Sequence, residues 1–453
     1  MKQQKELKRQ LGIRAATALV VGEVIAVGIF LTPAGIAKSL GSPFWLLVVW
    51  LAMGAMALCG ALCYGELAAR NPQAGGGYVY LREAYGPAVG FLYGWMALLV
   101  MDPGLTAALA TGLASYANFI VPVSNTSNKV VSIVVILILA LVNIRGVKLG
   151  AVLLGSLTVL KLGLLLSLPL IAFGFDLGDW RNFQPFMSQR PQSAPLLEAL
   201  GAGMVGAFFS FGGWWDVTKL AGEVRRPGYV LPRALAYGVT IVTLVYILQS
   251  AVFLYLVPLE KVTSGETFAA QAGAALFGPL GGQVFAAMVV VAVLGSLAAV
   301  IMSAPRVYFA MAKDNLFIHS VAITHRRFGT PARAIVIQAV LASLLVIIGS
   351  FNQIVSYFIF TVVVFIALTV GSLFILRRKE EKADYLTPGY PLTPIVFLLA
   401  VIVLLILLAG NNPRQVLAGV AVVALGIPVY YLFFRHVQTG INNSTKDSTY
   451  DVD

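Results

Sequence analysis

Two hydrophobic segments of this chain, 13–39 and 197–223, are each long enough to cross a bilayer, yet each carries glycine near its middle. The first has Val27-Gly28-Ile29-Phe30 and the second Ser210-Phe211-Gly212-Gly213-Trp214. Glycine inside a helix costs about 1 kcal/mol relative to alanine, so an uninterrupted span would carry Ala or Leu there. Breaking a helix at membrane depth frees N–H and C=O groups that hydrocarbon cannot satisfy. Such a break is tolerated where it lines a cavity and meets a ligand. The pair therefore predicts a binding cavity where the two breaks meet.

Composition agrees with that setting. With 59% hydrophobic residues, 11% charged and a mean hydropathy of +0.88, the chain is no ordinary soluble domain. At about 20 residues per span, twelve helices fit, numbered 1 to 12 in chain order: 13–39, 43–69, 88–119, 128–144, 149–174, 197–222, 234–257, 279–312, 333–350, 352–376, 392–410 and 415–435. The leader 1–12, charged from Lys2 to Arg9, has no small-residue cleavage site and is expected to stay. The tail 437–453, rich in Asn, Ser, Thr and Asp, is expected to be disordered.

Orientation follows from the 31 basic residues. With both termini cytoplasmic, most fall in the leader, in the loops on that side and in the tail. Only Lys38, Lys129, Arg181, Arg190, Lys261 and Arg414 face the other way. A multi-pass protein of the plasma (inner) membrane is expected. Its net charge of +12 is accounted for by topology and an anionic inner leaflet, without a nucleic-acid partner. Cys59 and Cys63 lie four apart on one face of helix 2, where a bridge would cross-link nothing long-range, and are read as buried thiols. His319, His325 and His436 fall in loops or the tail, and no His-Glu-x-x-His pattern occurs, so neither a metal nor a cofactor is expected. Lys161 has no Gly-x-Ser-x-Gly elbow to serve, and the chain is not read as an enzyme.

Helices 1 and 6 stand five apart and both are interrupted, as in two five-helix repeats of opposite topology, about 13–174 and 197–376, followed by two further helices at about 392–436. That symmetry predicts a midplane cavity among helices 1, 3, 6 and 8. The half-helices after each break, 28–39 and 214–223, would offer N–H groups and a positive dipole end to a carboxylate, and the preceding halves would offer carbonyls to an ammonium. A zwitterionic α-amino acid complements both, held by the backbone of Ile25, Ala26, Val27, Gly28 and Ile29 and by Phe211, Gly212, Gly213 and Trp214.

Several runs resemble the amino acid–polyamine–organocation transporters, and within them the L-type amino acid transporter branch. They are Gly28-Ile29-Phe30 with Pro33; Glu66-Leu67, then Gly75-Gly76-Gly77-Tyr78-Val79-Tyr80 and Tyr85-Gly86-Pro87; Phe211-Gly212-Gly213-Trp214 with Glu223-Val224-Arg225-Arg226-Pro227 and Leu231-Pro232-Arg233; Pro305-Arg306-Val307-Tyr308 through Asp314; and Thr387-Pro388-Gly389-Tyr390-Pro391. The resemblance implies an all-α polytopic LeuT-type fold, a 5+5 inverted repeat with broken helices 1 and 6 and twelve transmembrane helices, and amino-acid exchange. It gives Lys161 in helix 5 the place that a cation holds in sodium-coupled relatives, and hence implies sodium independence. A lone Lys in the apolar run Leu157 to Leu168 should face the bundle on energetic grounds too, since facing lipid it would cost about 2.5–3.5 kcal/mol.

Departures from the pattern matter as much. Ala26-Val27-Gly28 stands where the family has Gly-Ser-Gly, leaving carboxylate binding to backbone N–H groups. Glu23, one turn before the break, must be protonated or paired, and Lys161 is the expected partner, with proton coupling as the consequence. The alternative is a Glu23 hydrogen-bonded within the scaffold or reaching water. Asp102, before Pro103 in helix 3, either lines the pathway and serves proton coupling or caps a kink. Phe211 is expected to be the gate over the substrate. Asp216 would bind a cationic side chain if it faced the cavity, although helical register sets it off the Gly212 face. Gly295 and Ser296 give helix 8 either close approach or room for substrate. Glu66, Arg82, Glu223 and Arg225 are candidates for an inner gate.

The residues together predict a sodium-independent exchanger of neutral L-amino acids, because Gly212 places no carboxylate beside the substrate side chain. The alternative is a proton-coupled symporter of cationic amino acids or polyamines, motivated by Glu23, Asp102 and Asp216. The absence of Cys in the loop 120–127 argues against a disulfide-linked heavy chain and for a stand-alone, bacterial protein.

Overall fold

The computed structural model describes residues 7–26, 28–122, 124–191, 193–262, 268–348, 351–379, 383–411 and 413–435. Val27, most of the leader's charged stretch, His436 and the tail 437–453 lie outside the described residues. The described chain is helical almost throughout, with one isolated backbone bridge, between Leu11 and Val224.

Nine helices among the described residues are long and apolar enough to cross a membrane, and two shorter ones, Ala332–Ile348 and Gly419–Phe434, are apolar. Helix 1 completes the twelve in two pieces, Ile13–Val24 and Gly28–Leu40. Helix 2 is Pro43–Arg70, begun by a proline whose missing N–H is harmless in a first turn and by Ser42, which accepts from Trp45 N. Helix 3 runs from Pro87 to Ile120 through a π-helical turn, Ala97–Met101, just before Asp102-Pro103. A proline inside a span deprives a carbonyl one turn earlier of its donor, and the π turn absorbs the mismatch.

Helices 4 and 5 are Asn125–Ile144 and Val147–Gly174. Helix 6 is Leu196–Phe211, then a break, then a 3₁₀ run Trp214–Glu223. Helix 7 is Pro227–Leu256, helix 8 runs from Gly281 to Lys313, and helices 9 to 12 are Ala332–Ile348, Phe351–Lys379, Leu392–Asn411 and Pro413–Phe434.

Most expected boundaries hold to within a few residues. Helix 7 is the exception, starting at Pro227 rather than 234, because Pro227 occupies the first helical position and Pro232 is carried inside the helix. Two short helices that hydropathy did not separate from loops, Gly77–Tyr85 and Phe268–Phe277, cap the bundle between helices 2 and 3 and between 7 and 8.

The packing repeats itself across the two halves. Helix 1 packs on helix 7 as helix 6 packs on helix 2, helices 3 and 8 lie against each other, and so do helices 2 and 7. The second piece of helix 1 lies on the first piece of helix 6, and the first piece of helix 1 on the 3₁₀ run. Both breaks are thereby brought to one level. At the start of helix 1, Gln10 N and Leu11 N donate to Glu223 O, and Arg225 N donates back to Leu11 O. Helices 4, 5 and 11 present rows of exposed Leu, Val and Ile, the side chains expected to face lipid.

Candidate functional site

Lys161 lies at the centre of the bundle, 1% exposed. Its Nζ donates to Gly22 O at 2.8 Å, Ile25 O at 2.7 Å and Ser296 Oγ at 3.2 Å. The two carbonyls belong to the last turn before the helix 1 break and have lost their helical partners. Ser296 of helix 8 bonds the same two carbonyls, at 2.7 and 3.0 Å. Gly295 is explained by the lysine itself, for a Cβ there would meet Lys161 Cε at 2.9 Å. The room at Gly295 thus serves Lys161.

The expected Glu23–Lys161 pair is corrected by this geometry, because the ammonium is committed to backbone carbonyls. Both Glu23 carboxylate oxygens are buried without a hydrogen-bond donor, and so is Asp216 Oδ1. The Glu23 carboxyl lies against that of Asp216, where a hydrogen bond forms only if one of the two carries a proton.

The breaks touch. A Cβ on Gly28 would stand 2.6 Å from Ser210 Cα, so helix 1 approaches helix 6 closer than any other residue would permit. Gly213 has φ +102°, a conformation open to glycine, and a Cβ there would meet Glu23 Cγ at 2.9 Å. Tyr246 of helix 7 ties the two breaks together, its hydroxyl shared between Val24 O at 2.9 Å and Ser210 O at 2.8 Å. Val24 O also accepts from Ala26 N at 2.8 Å, so Tyr246→Phe strands the Ser210 carbonyl and should lower stability by about 1–3 kcal/mol, which a thermal melt of purified protein would register; an unchanged melting temperature would remove Tyr246 from the site.

A cavity opens between the breaks, walled by Glu23, Ala26 and Gly28 of helix 1, Asp102 and Leu105 of helix 3, and Phe208, Phe209, Gly212, Gly213, Trp215 and Asp216 of helix 6. Of the backbone positions expected at the site, Ala26, Gly28, Gly212 and Gly213 line it. Ile25 contributes its carbonyl to Lys161, Ile29 is buried away from it, and Val27 lies outside the described residues. Phe211 is not at the cavity, contrary to its expected role as gate. Its ring packs edge-on against Tyr246 at 5.1 Å and tilted against Trp50 at 6.3 Å. Trp214 likewise packs against Tyr64, Trp215 and Phe397. The aromatic wall is Phe208, Phe209 and Trp215, of which Phe209 is the less buried phenylalanine.

Asp216 does reach the cavity, because the positive φ at Gly213 and the 3₁₀ winding after it discard the register of the first half-helix. Beside it sits Lys219, a residue that the basic-residue count assigns to the loop between helices 6 and 7. It is 1% exposed, and its Nζ donates to Asp102 Oδ1 and Asp216 Oδ2, both at 2.9 Å. Asp102 is thus an ion-pair partner; its Oδ2 is 3.2 Å from the hydroxyl of Tyr308, which also reaches Gln338 Oε1 at 3.1 Å. The spacing Asp216-x-x-Lys219, one helical turn, was the available sequence signal for this group. Nothing in the sequence marked Tyr246 or Gln338.

The residues read as one inner gate are not brought together. Glu66 bonds Arg70, Arg377 and Thr387 N; Arg82 bonds Glu83 and Asp314; Glu223 bonds Arg306. Cys59 and Cys63 are free thiols within helix 2. Among the described residues no group of His, Cys, Asp and Glu could hold a metal ion.

Broken spans converging on a central cavity, with a lysine at the carbonyls of the first break, define a multi-pass membrane transporter of the broken-helix class. The sequence comparisons agree, for a family model described as amino acid permease matches residues 11–434, and the chain belongs to that family. It is 31% identical to the serine/threonine exchanger SteT of Bacillus subtilis (strain 168), over 94% of this chain and 97% of that one. It is 26% identical to the large neutral amino acids transporter small subunit 2 of Mus musculus, over 98% of this chain and 85% of the relative. Identity is also 26% to the b(0,+)-type amino acid transporter 1 of Homo sapiens, over 95% and 89%.

Proposed function

We propose that this protein exchanges neutral L-amino acids across the plasma (inner) membrane, without sodium and with both termini cytoplasmic. The observation that carries the reading is the Lys161 ammonium on Gly22 O and Ile25 O. A fixed cation already neutralises the carbonyls that an ion would otherwise occupy. Substrate carboxylate and ammonium are taken by the backbone at Ala26, Gly28, Gly212 and Gly213, where half-helix ends of opposite polarity meet. Exchange of serine and threonine by SteT, and the neutral substrates named for the mouse relative, support the choice of substrate. The cavity is narrow, about 80 Å³ between Phe208, Phe209 and Trp215, which favours small side chains. Phe209, on that wall, takes the gate role in place of Phe211. Both cysteines lie in helix 2 and the 120–127 loop has none, so the protein works without a disulfide-linked partner.

The deciding experiment is radiolabelled serine uptake into proteoliposomes, with and without unlabelled amino acid inside, at symmetric pH and under an inward proton gradient. Uptake that requires internal amino acid and ignores both sodium and the gradient is the expected result. Gradient-driven uptake into empty vesicles would overturn it.

A second reading, proton-coupled symport of cationic amino acids or polyamines, is favoured by one observation, the buried Glu23 and Asp216 oxygens without donors. Glu23→Gln separates the two. For the exchanger, the ratio of activities at pH 5 and pH 8 should stay within about twofold of wild type, under 0.5 kcal/mol. A ratio that collapses toward one would make Glu23 the proton carrier.

A further inference from the structure

At the end of the bundle that carries the N-terminal segment, away from the central site, a second cavity of about 280 Å³ is lined by Lys8, Gln10, Arg145, Lys148, Arg327 and Phe328. Four of these side chains are cationic and exposed, they come from three separate stretches of chain, and no acidic side chain among the described residues lines the cavity. Like charges gathered around one hollow repel each other unless an anion sits among them. Basic residues that merely set topology need neither to converge nor to enclose a space.

The first turn of helix 5 opens into the same hollow. Gly146, at φ +144°, turns the chain into Val147–Gly174, and no side chain caps the helix. A 28-residue helix thus directs its unpaired first-turn N–H groups and positive dipole end toward the place where the four cations meet. Neither Gly146 nor Gly329, which faces it from the loop after helix 8, has any atom within 4 Å of where a Cβ would stand, so the space above both is open. The loop is held there by Thr330 Oγ1, which donates to Ile144 O at 2.7 Å, and by His325 Nδ1, which accepts from Arg327 N and Phe328 N.

One wall of the cavity continues onto the lipid-facing side. Leu149 belongs to its lining and is 49% exposed, and Val152, one turn further into the span, is 66% exposed. A charged hollow whose rim runs down an apolar, exposed helix face fits a molecule with an anionic head and a hydrocarbon tail. We propose that this cavity binds the phosphate group of an anionic phospholipid, held by Lys8, Arg145, Lys148 and Arg327 and by the helix 5 N–H groups, with the acyl chains along Leu149 and Val152.

The test is a titration of the delipidated, detergent-solubilised full chain with phosphatidylglycerol, or with phosphatidylcholine of the same acyl chains, read by native mass spectrometry. Phosphatidylglycerol should bind the wild type more tightly than phosphatidylcholine does. Arg145→Gln/Lys148→Gln should weaken it roughly thirtyfold, two surface charges' worth. Arg327→Gln alone, in a different element, should weaken it several-fold and guards against misfolding of the double variant. Lys38→Gln/Lys261→Gln, at the other end of the bundle, should leave it unchanged. Equal binding by wild type and the Arg145/Lys148 variant, or an equal loss in the Lys38/Lys261 control, would overturn the proposal. Complete displacement of the lipid by millimolar inorganic phosphate would make free phosphate the ligand and overturn the lipid assignment.

Discussion

Replacing Lys161 by methionine should abolish exchange to within measurement, a fall of two orders of magnitude or more. The protein should also melt at a lower temperature. Methionine fills much of the same volume, so the change removes charge and donors without opening a void. Gly22 O and Ile25 O then keep only the Ser296 hydroxyl, which has one proton for two acceptors. Hydrogen bonds to a charged group contribute about 1.5–3 kcal/mol each, so losing two removes about 3–6 kcal/mol from the state in which the break is held. At about 1.4 kcal/mol per decade, that is two to four decades in the population able to bind substrate.

Lys161→Ala makes the companion test. It leaves the same carbonyls facing a space the size of a small cation, and added sodium should restore part of the lost melting temperature in that variant but not in Lys161→Met. Exchange at the wild-type rate in Lys161→Met would mean that the ammonium is structural decoration.

Lys161 was legible for a simple reason. An ion in an unbroken apolar run has very few places to go, and hydrocarbon removes the rest. The same constraint made the spans legible, because every backbone group in lipid must be satisfied within a helix and every span must reach across. The breaks were legible as glycines, and the close approach of Gly28 to Ser210 and the positive φ of Gly213 show why glycine is required at each.

Past the second break the α-helical register no longer applies. Asp216 was placed by α-helical register, but register does not survive a left-handed residue followed by a 3₁₀ run, and the acid reached the cavity. Phe211, the last residue before the break, was placed by nearness to it, and its ring packs on Tyr246 and Trp50 instead. The Glu23–Lys161 pair failed differently. Opposite charges invite pairing when only side chains are counted, whereas the acceptors that won were backbone carbonyls, which every residue has and no sequence displays. Lys219 was hidden by its neighbours, since a lysine a few residues before Arg225 and Arg226 reads as one more loop charge.

For Lys219 the expected order of stability is specific: wild type, then Asp102→Asn, then the double variant Lys219→Met/Asp102→Asn, with Lys219→Met alone the least stable. Lys219→Met leaves Asp102 and Asp216 buried, close together and without their shared cation, and breaking a buried pair from one side costs about 3–5 kcal/mol. Asp102→Asn costs less, because Lys219 keeps Asp216 and the amide oxygen can still accept. Adding Asp102→Asn to Lys219→Met removes one of two stranded charges, so the second substitution should restore about 1–3 kcal/mol, a coupling that a thermal or denaturant cycle resolves. A double variant less stable than Lys219→Met would mean that the three groups do not act as one electrostatic unit.

The position of the triad connects this order to transport. The half of helix 6 beyond its break is tied to helix 3 through Lys219–Asp102 and to helix 8 through Glu223–Arg306, both buried. Any rocking of helices 1 and 6 against helices 3 and 8 must carry these pairs intact or separate them, and separating a buried pair is expensive. Asp102→Asn weakens one tie without stranding a charge. Its exchange rate should therefore change by more than its modest loss of stability, in the direction set by whether the Lys219–Asp102 tie holds the resting state or the transition between states.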